Sequence, residues 1–429
     1  MTSQPAERQP GPADFFSGIR VLDLTASLAG PWCTRFLADL GCEVIKIESC
    51  EHYDLTRGPI ASEDWRAYGR RGTEKPYECA DTFLKPNRGK LGCTIDLKSA
   101  TGLQLFKRLL TMSDVVVENF ATGQMEKFGL GYDTLREINP RVIYAAMPSL
   151  GSFGAEKDYV GYGNTVECLS GIASLTGYTD GPPTISEMWF GDPAAALHGA
   201  AAIAMALLRR EETGVGASVE VPQVEGLSCW LGDSFMDYSL NGRVRGPVGN
   251  EDRGGRWPHG VYPCHGEDEW VAIGAADPRQ RAALAAATGI TELGNESSAE
   301  SPEMRQRIEA ALRTWTGLRR KSEAMKILQG YGVPAAAILY NRDLFEDPHL
   351  TERQYFESVT HPYAGTHLYP GTSWRADGQR PRSASAAPML GEHNDLVFKG
   401  LLGLSDDDFQ TLEAEGVIGN EPTSDRWGG

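Results

Sequence analysis

Ile19–Leu24 reads I-R-V-L-D-L, and after it come Ala29-Gly30-Pro31, the segment Trp32–Leu40, Gly41, and C-E-V-I-K-I-E over Cys42–Glu48. This passage decides the fold. The first run is apolar and branched, as a strand buried on both faces should be. Pro31 suits the first turn of a helix, where its missing N–H has no intrahelical partner. Gly41 ends that helix and Cys42–Glu48 forms the next strand. A strand, a short helix and a second strand make a parallel crossover unit.

The rhythm repeats downstream. Cys93–Leu97 is strand-like, Ser99 caps a helix through Met112, and D-V-V-V-E-N-F at Asp114–Phe120 is a strand. Tyr132–Ile138 is helical and R-V-I-Y-A-A-M at Arg141–Met147 is another strand. Alternation of this kind predicts an α/β fold with a Rossmann-like, doubly wound parallel sheet. From Asn164 the character changes. Asn164–Leu175 and the Ala-rich Pro193–Arg210 read as helices, Ser218–Val221 as a strand and Val224–Tyr238 as a helix. A Gly-rich stretch, Asn241–Gly260, precedes a strand at Trp270–Gly274 and helices at Arg281–Thr288 and Glu303–Gly317. The organisation expected is a disordered tail over 1–16, a large domain over 17–225 and a linker helix with a Gly-rich loop over 226–260. A smaller α+β domain over 261–335 follows, and the chain returns to the large domain over 336–429, with a last helix at Leu404–Gly416.

The chain has 429 residues, 58 acidic against 41 basic, for a formal charge of −17. That balance argues against nucleic acid, and any anionic ligand must meet a local group of cations. The first sixteen residues lack an apolar stretch of signal-peptide type. Ala194–Leu208 is too short a run to span a bilayer. Eight scattered cysteines include no C-x-x-C pair, so a cytoplasmic protein with buried, reduced thiols is expected. The expected partners exclude nucleic acid and membrane.

Several chemistries lack their signatures. No G-x-G-x-x-G follows Ile19–Leu24, and the chain has no G-x-x-x-x-G-K-[ST], no H-E-x-x-H and no G-x-S-x-G. These absences disfavour nicotinamide, zincin and α/β-hydrolase readings, and no metal is expected. His198, alone in the Ala-rich helix, reads as a packed core residue. Phe190-Gly191-Asp192-Pro193 is more informative. Asp before Pro has the form of an N-cap and first helical residue. The positive end of the helix would lower the Asp192 pKa, and an ionised carboxylate can attack an acyl carbon. Gly191 would leave room for a substrate. On the local sequence, cap and nucleophile both stand.

The ordered set of motifs goes further. It comprises G-I-R-V-L-D-L-T-A-S-L-A-G-P (Gly18–Pro31), V-I-K-I-E (Val44–Glu48), N-R-G-K and D-L-K within Asn87–Lys98, and D-V-V-V-E-N-F. F-G-L-G-Y (Phe128–Tyr132), N-P-R-V-I-Y (Asn139–Tyr144), T-G-Y-T-D-G-P-P (Thr176–Pro183), Gly191-Asp192 and L-G-E-H-N (Leu390–Asn394) complete it. From Gly18 to Ile418 this succession resembles the family III CoA-transferases, the CaiB/BaiF superfamily that includes formyl-CoA transferase. The resemblance implies an interlocked homodimer, coenzyme A as substrate in the form of an acyl-CoA, a carboxylic acid acceptor, and no metal or nicotinamide. It implies Asp192 as the nucleophile, passing through an aspartyl anhydride and an aspartyl–CoA thioester. It places CoA against Leu28, Ala29, Ile95, Lys98, Asn119, Phe120, Lys127 and Asn164, and a mobile loop at Gly254 and Gly255.

Lys85, Arg88, Lys90 and Lys98 lie within fourteen residues and offer the cations that CoA phosphates require. Ser49 stands where several relatives carry an adenine-stacking Arg, a contact that Arg57 could supply instead. Asn164 falls near an acidic position of some relatives. Two other functions remain open. A 2-methylacyl-CoA racemase would need a His near Gly161-Tyr162-Gly163-Asn164, where there is none; a non-catalytic acyl-CoA-binding protein would keep the fold alone.

Overall fold

A computed structural model describes residues 14–58, 75–294, 301–383 and 385–423. Of the expected tail, residues 1–13 lie outside the described residues. Asp14–Phe16 form a turn in which the Phe16 N–H donates to the Leu40 carbonyl at 2.9 Å.

The chain divides into two compact units. The first draws on Met1–Ile172, Ile185–Met236 and Glu352–Gly429, so distant parts of the chain build it together. Its centre is a six-stranded sheet of β1 (Arg20–Asp23), β2 (Glu43–Glu48), β3 (Leu91–Thr94), β4 (Val115–Glu118), β5 (Ile143–Ala146) and β6 (Ala217–Glu220). The order is β3-β2-β1-β4-β5-β6 with every pair parallel, which is the doubly wound order.

Period-two alternation sends neighbouring residues to opposite faces. Val21, Val44, Val115 and Val117 point into one core layer; Leu22, Ile45 and Val116 point into the other. The first layer is closed by α1 (Ala29–Asp39) and, further along the chain, by the long Ala-rich helix Gly191–Thr213. The second is closed by α2 (Ala100–Leu110), α3 (Tyr132–Ile138) and the C-terminal segments Asp395–Leu401 and Asp406–Ala414. The Ala-rich helix packs close because it is small. A Cβ on Gly199 would stand 3.0 Å from Cys33 Sγ and 3.2 Å from Met147 Cε.

Three helix readings change. Asn164–Leu175 is not continuous: α4 spans Gly163–Ser170 and stops at Gly171, whose φ of 92° ends the helix in the left-handed region. Val224–Tyr238 breaks into Gln223–Ser228 and Gly232–Asn241 across a short 3₁₀ turn. The Ala-rich helix, α5 (Gly191–Thr213), has 23 residues and is longer than the expected run. By length and composition α5 could cross a bilayer, but half of its most apolar stretch is buried in the fold, as in a core helix.

The far edge of the sheet is closed by the end of the chain. Gly92 N–H donates to His393 Nδ1 at 3.0 Å, Thr94 N–H to Asn394 Oδ1 at 2.9 Å, and Asp96 N–H to the Val417 carbonyl at 2.8 Å. The L-G-E-H-N motif thus has a structural task on β3.

The second unit, Ala173–Thr184 with Asp237–Thr351, is α+β. Strands His259–Pro263, Trp270–Gly274 and Ala335–Ala337 form an antiparallel sheet. Helices Pro278–Thr288, Pro302–Gly317 and Lys321–Gly330 share one core with it, around Val271, Leu312 and Leu328.

Candidate active site

In a doubly wound sheet, ligands bind at the carboxyl ends of the strands where the order reverses, here between β1 and β4. Asn119, just past β4, bridges that crevice. Its Oδ1 accepts from Ala26 N–H and its Nδ2 donates to the Ala26 carbonyl, both at 2.8 Å. Ser27 follows with φ 66°, an unfavourable value for a residue with a side chain, and its N–H donates to Asp54 Oδ1 at 3.1 Å. These contacts hold the loop that delivers Leu28 and Ala29 to the start of α1.

The Ala29 N–H lies near enough to the Asp192 carboxylate to favour its ionised form. Asp192 is the second residue of α5, not its N-cap; Phe190 occupies the cap position and makes no side-chain cap bond. The cap function passes to Glu167 of α4. Its carboxylate accepts from Phe190 N–H at 2.7 Å, from Ser186 N–H at 2.9 Å and from Ser186 Oγ at 2.8 Å. Trp189, with φ 47°, makes the turn, and its carbonyl accepts from Asp192 N–H at 2.9 Å.

Asp192 is 8% exposed. Burial pushes its pKa up to about 6, the Ala29 N–H works against that shift and the nearby Glu167 charge adds to it. The expected lowering by the helix terminus does not prevail, because taking a carboxylate out of water costs more than one N–H returns. Gly191 does not open a path for substrate either. A Cβ there would meet Val166 Cγ1 at 2.7 Å, so its smallness serves packing. The glycine that makes room for the carboxylate is Gly163, where a Cβ would stand 2.4 Å from Asp192 Oδ2. His198, expected in the core, is exposed on α5, with Nδ1 beside the Ala194 carbonyl at 2.9 Å.

The cation cluster separates into two kinds. Arg88 and Lys90 are buried at 1% exposure each and are structural. Lys90 Nζ binds Asp23 Oδ2 at 2.9 Å, Asn87 Oδ1 at 2.7 Å and the Pro31 carbonyl at 3.0 Å. Arg57 is fully buried between Glu48 and Glu78, so it cannot replace an adenine-stacking residue at Ser49. Lys85 and Lys98 stay at the surface, Lys98 beside Glu51 at 3.2 Å. Lys127, ending the short helix Gln124–Lys127, is exposed.

Ile95 is buried in the core past β3. Phe120 lies half-buried past β4, edge-on to Phe128 at 6.3 Å between ring centres. Phe120, Thr122, Tyr132, Tyr144 and Pro148 line a cavity of about 420 Å³. Glu118, on the same wall, accepts from Tyr144 Oη at 2.8 Å and Phe120 N–H at 2.7 Å, and burial raises its pKa to about 7. Asn164 is exposed on α4, the helix that carries Gly163 and Glu167. Gly254 and Gly255 are exposed in the second unit, in a turn where Gly255 has φ 73°. The structure therefore brings Ala29 near Asp192, with Leu28 next to it in the chain and Asn119 holding the loop before them at Ala26. Among the described residues no cluster of three or more metal-ligating side chains occurs.

Sequence reasoning missed Gly163, Glu167 and Trp189. A signal existed for the first two. Their spacing of four puts them one above the other on a helical face.

The model of CoA-transferase family III matches residues 16–394. The succinyl-CoA–D-citramalate CoA-transferase of Chloroflexus aurantiacus is 32% identical over 96% of this chain and 100% of its own length. The formyl-CoA:oxalate CoA-transferase of Streptomyces coelicolor is 29% identical over 95% of this chain and all of its own. A crystal structure of a CaiB/BaiF family protein from Brucella suis superposes with a TM-score of 0.77, 28% identical, over 90% of this chain and 98% of its own.

Proposed function

The chain belongs to CoA-transferase family III, and from that premise we propose that this CoA-transferase works through a covalent cycle on Asp192. The carboxylate attacks the carbonyl of an acyl-CoA, giving an acyl–aspartyl anhydride and CoA thiolate. The thiolate attacks the aspartyl carbonyl, releasing the first acid and leaving an aspartyl–CoA thioester. The acceptor carboxylate attacks that thioester, giving a second anhydride and free thiolate. Attack of the thiolate on the new acyl carbonyl yields the product thioester and restores Asp192. Every step exchanges one nucleophile for another, so protons, metals and electrons balance without a further group.

The observation that carries this reading is a buried carboxylate beside the Ala29 N–H at the start of α1. With its pKa near 6 it is about 90% ionised at pH 7, yet more basic than an ordinary aspartate. The Ala29 N–H near that carboxylate would stabilise charge on the Asp192 carbonyl oxygen when the thiolate attacks it. Lys98 and Lys127 at the surface would meet CoA phosphates, and Phe120 its apolar arm. An interlocked homodimer is part of the proposal. It is supported by large apolar side chains that a single chain leaves exposed on α5, namely Leu197, Met205 and Leu208. A cytoplasmic location fits soluble CoA thioesters. The names of the relatives make succinyl-CoA and formyl-CoA the donors to try first.

Mass spectrometry after incubation with either thioester and hydroxylamine tests the cycle. A hydroxamate at Asp192 is expected. An unmodified protein that binds CoA would favour a binding role, and deuterium entering the α-carbon of a 2-methylacyl-CoA without an acceptor would favour a racemase.

A further inference from the structure

Glu167 of α4 is 1% exposed and takes no part in the covalent cycle, yet it grips the approach to Asp192 at two points. Its Oε1 accepts from Phe190 N–H at 2.7 Å and from Ser186 Oγ at 2.8 Å, and its Oε2 from Ser186 N–H at 2.9 Å. Ser186 Oγ accepts in turn from Met188 N–H at 3.2 Å. The turn enclosed in this way contains Trp189 at φ 47°, a value that a bulky residue keeps only where its surroundings impose it. The Trp189 carbonyl accepts from Asp192 N–H at 2.9 Å, so the constraint passes on to the residue that carries the carboxylate.

α4 meets the same stretch along one face. Gly163, Val166 and Glu167 are spaced three and four apart and so stand on one side of the helix. A Cβ on Gly163 would meet Asp192 Oδ2 and stand 2.7 Å from Trp189 Cβ. A Cβ on Gly191 would stand 2.7 Å from Val166 Cγ1. The start of α5 is thus set in register at three places, Asp192 by Gly163, Gly191 by Val166 and Phe190 by Glu167. A helix cap needs one acceptor, commonly from the residue just before the helix. Here the acceptor comes from another helix, and both of its oxygens accept, which an amide could not do. The fold keeps this double grip although it sets a like charge near Asp192.

We propose that Glu167 is a positioning residue for the transfer, holding the Ser186–Phe190 turn from α4 so that the Asp192 carboxylate meets the thioester in one fixed orientation. The inference rests on Asp192 as nucleophile. With its oxygens taken by three donors, Glu167 acts through the turn and not on the substrate. Among the described residues it is also the one charged group that acts on Asp192, and what faces that carboxylate from α1 is the Ala29 N–H. Removing the Glu167 charge therefore lowers the pH at which Asp192 ionises, while slackening the turn slows attack.

The test follows the rate of Asp192 hydroxamate formation in the full chain by mass spectrometry from pH 5 to 8. Hydroxylamine is used with whichever of succinyl-CoA and formyl-CoA labels the parent. Glu167→Gln keeps the size of the side chain; its maximal rate should fall by roughly 10²-fold at an unchanged half-saturating thioester concentration. Its pH midpoint should lie below that of the parent, because a charge that raises the Asp192 pKa is gone. Hydroxylamine titrates alike in both, so the difference belongs to the protein. Ser186→Ala, at a half-buried position, loosens the turn and leaves the charge in place, so its rate should fall with the midpoint unmoved. A labelled parent matched by Glu167→Gln in rate and midpoint would overturn the role of Glu167 and leave the nucleophile standing. A slower Glu167→Gln with weaker saturation and an unmoved midpoint would mark a helix cap alone, and would overturn it too. If Glu167→Gln does not fold, Ser186→Ala at the parent rate decides against the role. No hydroxamate in the parent with either thioester would overturn the nucleophile and this role with it.

Discussion

Asp23 and Asp192 both lie against α1, at Thr34 and Ala29, both are buried, and their chemistry diverges. Asp23 is fully buried, yet its pKa is lowered. Burial raises it, but Lys90 and Lys46, with the hydroxyls of Thr25 and Thr34, outweigh that cost. Asp192 has only the nearby Ala29 N–H to favour its charge and an acidic neighbour to oppose it, and burial wins. The lesson is that partners, not depth, decide whether a buried carboxylate is a structural anchor or a group held ready to react.

Five substitutions and one pH series can break or sharpen that contrast. The largest effect is expected at Asp192→Ala, where transfer should fall by at least about 10³-fold with the fold retained; full turnover would end the assignment. Asp23→Ala should show the converse, a loss of roughly 3–5 kcal/mol in denaturant unfolding, because Lys90 is left buried without its acid.

Next comes pH. The native state holds the Asp192 proton more tightly than the unfolded chain, so this group lowers stability as pH rises from about 4 to about 6, levelling at a cost on the order of 3 kcal/mol. Asp192→Asn should therefore be more stable than the parent at pH 7 and level with it near pH 4. Asp23 acts the other way: its contribution is present above the unfolded value and is lost as pH falls through its lowered native value. For the parent, kcat/KM should climb with pH through an apparent pKa near 6. A flat profile between pH 5 and 7 would contradict a free carboxylate at this position.

Gly163→Ala should reduce turnover by some tens-fold while CoA affinity is kept, since its methyl group would press on Asp192 Oδ2 and the Trp189 Cβ. The smallest effect is expected at Lys98→Ala. This residue is exposed and already beside Glu51, so CoA should weaken a few-fold at low salt and hardly at all at high salt.

Much of the fold was legible in the sequence. Ile19–Leu24 and Asp114–Phe120 contain β1 and β4, and Ser99 does cap α2, accepting from Gly102 N–H at 2.9 Å. Strands buried on both faces announce themselves by apolar runs, and a doubly wound order follows from their alternation with helices. The site was less legible. Asp192 was singled out by its motif, but its pKa direction depends on depth and on Glu167, which are set by packing across the fold. Lys90 and Arg88 read as surface cations because a buried ion pair and a solvated one have the same one-letter spelling. Only Asp23 and Glu357, 67 and 269 residues away in the chain, reveal the difference.

The stitching of β3 by His393, Asn394 and Val417 has a consequence for how the molecule comes into being. Those hydrogen bonds span about three hundred residues. A ribosome will have made all six strands of the sheet long before the residues that seal its rim emerge. Until then an unpaired strand edge stays bare, the kind of surface on which nascent chains stick to one another. This sheet is consequently sealed only after some three hundred further residues have been made, and a chain that stopped before Leu390 would expose that rim.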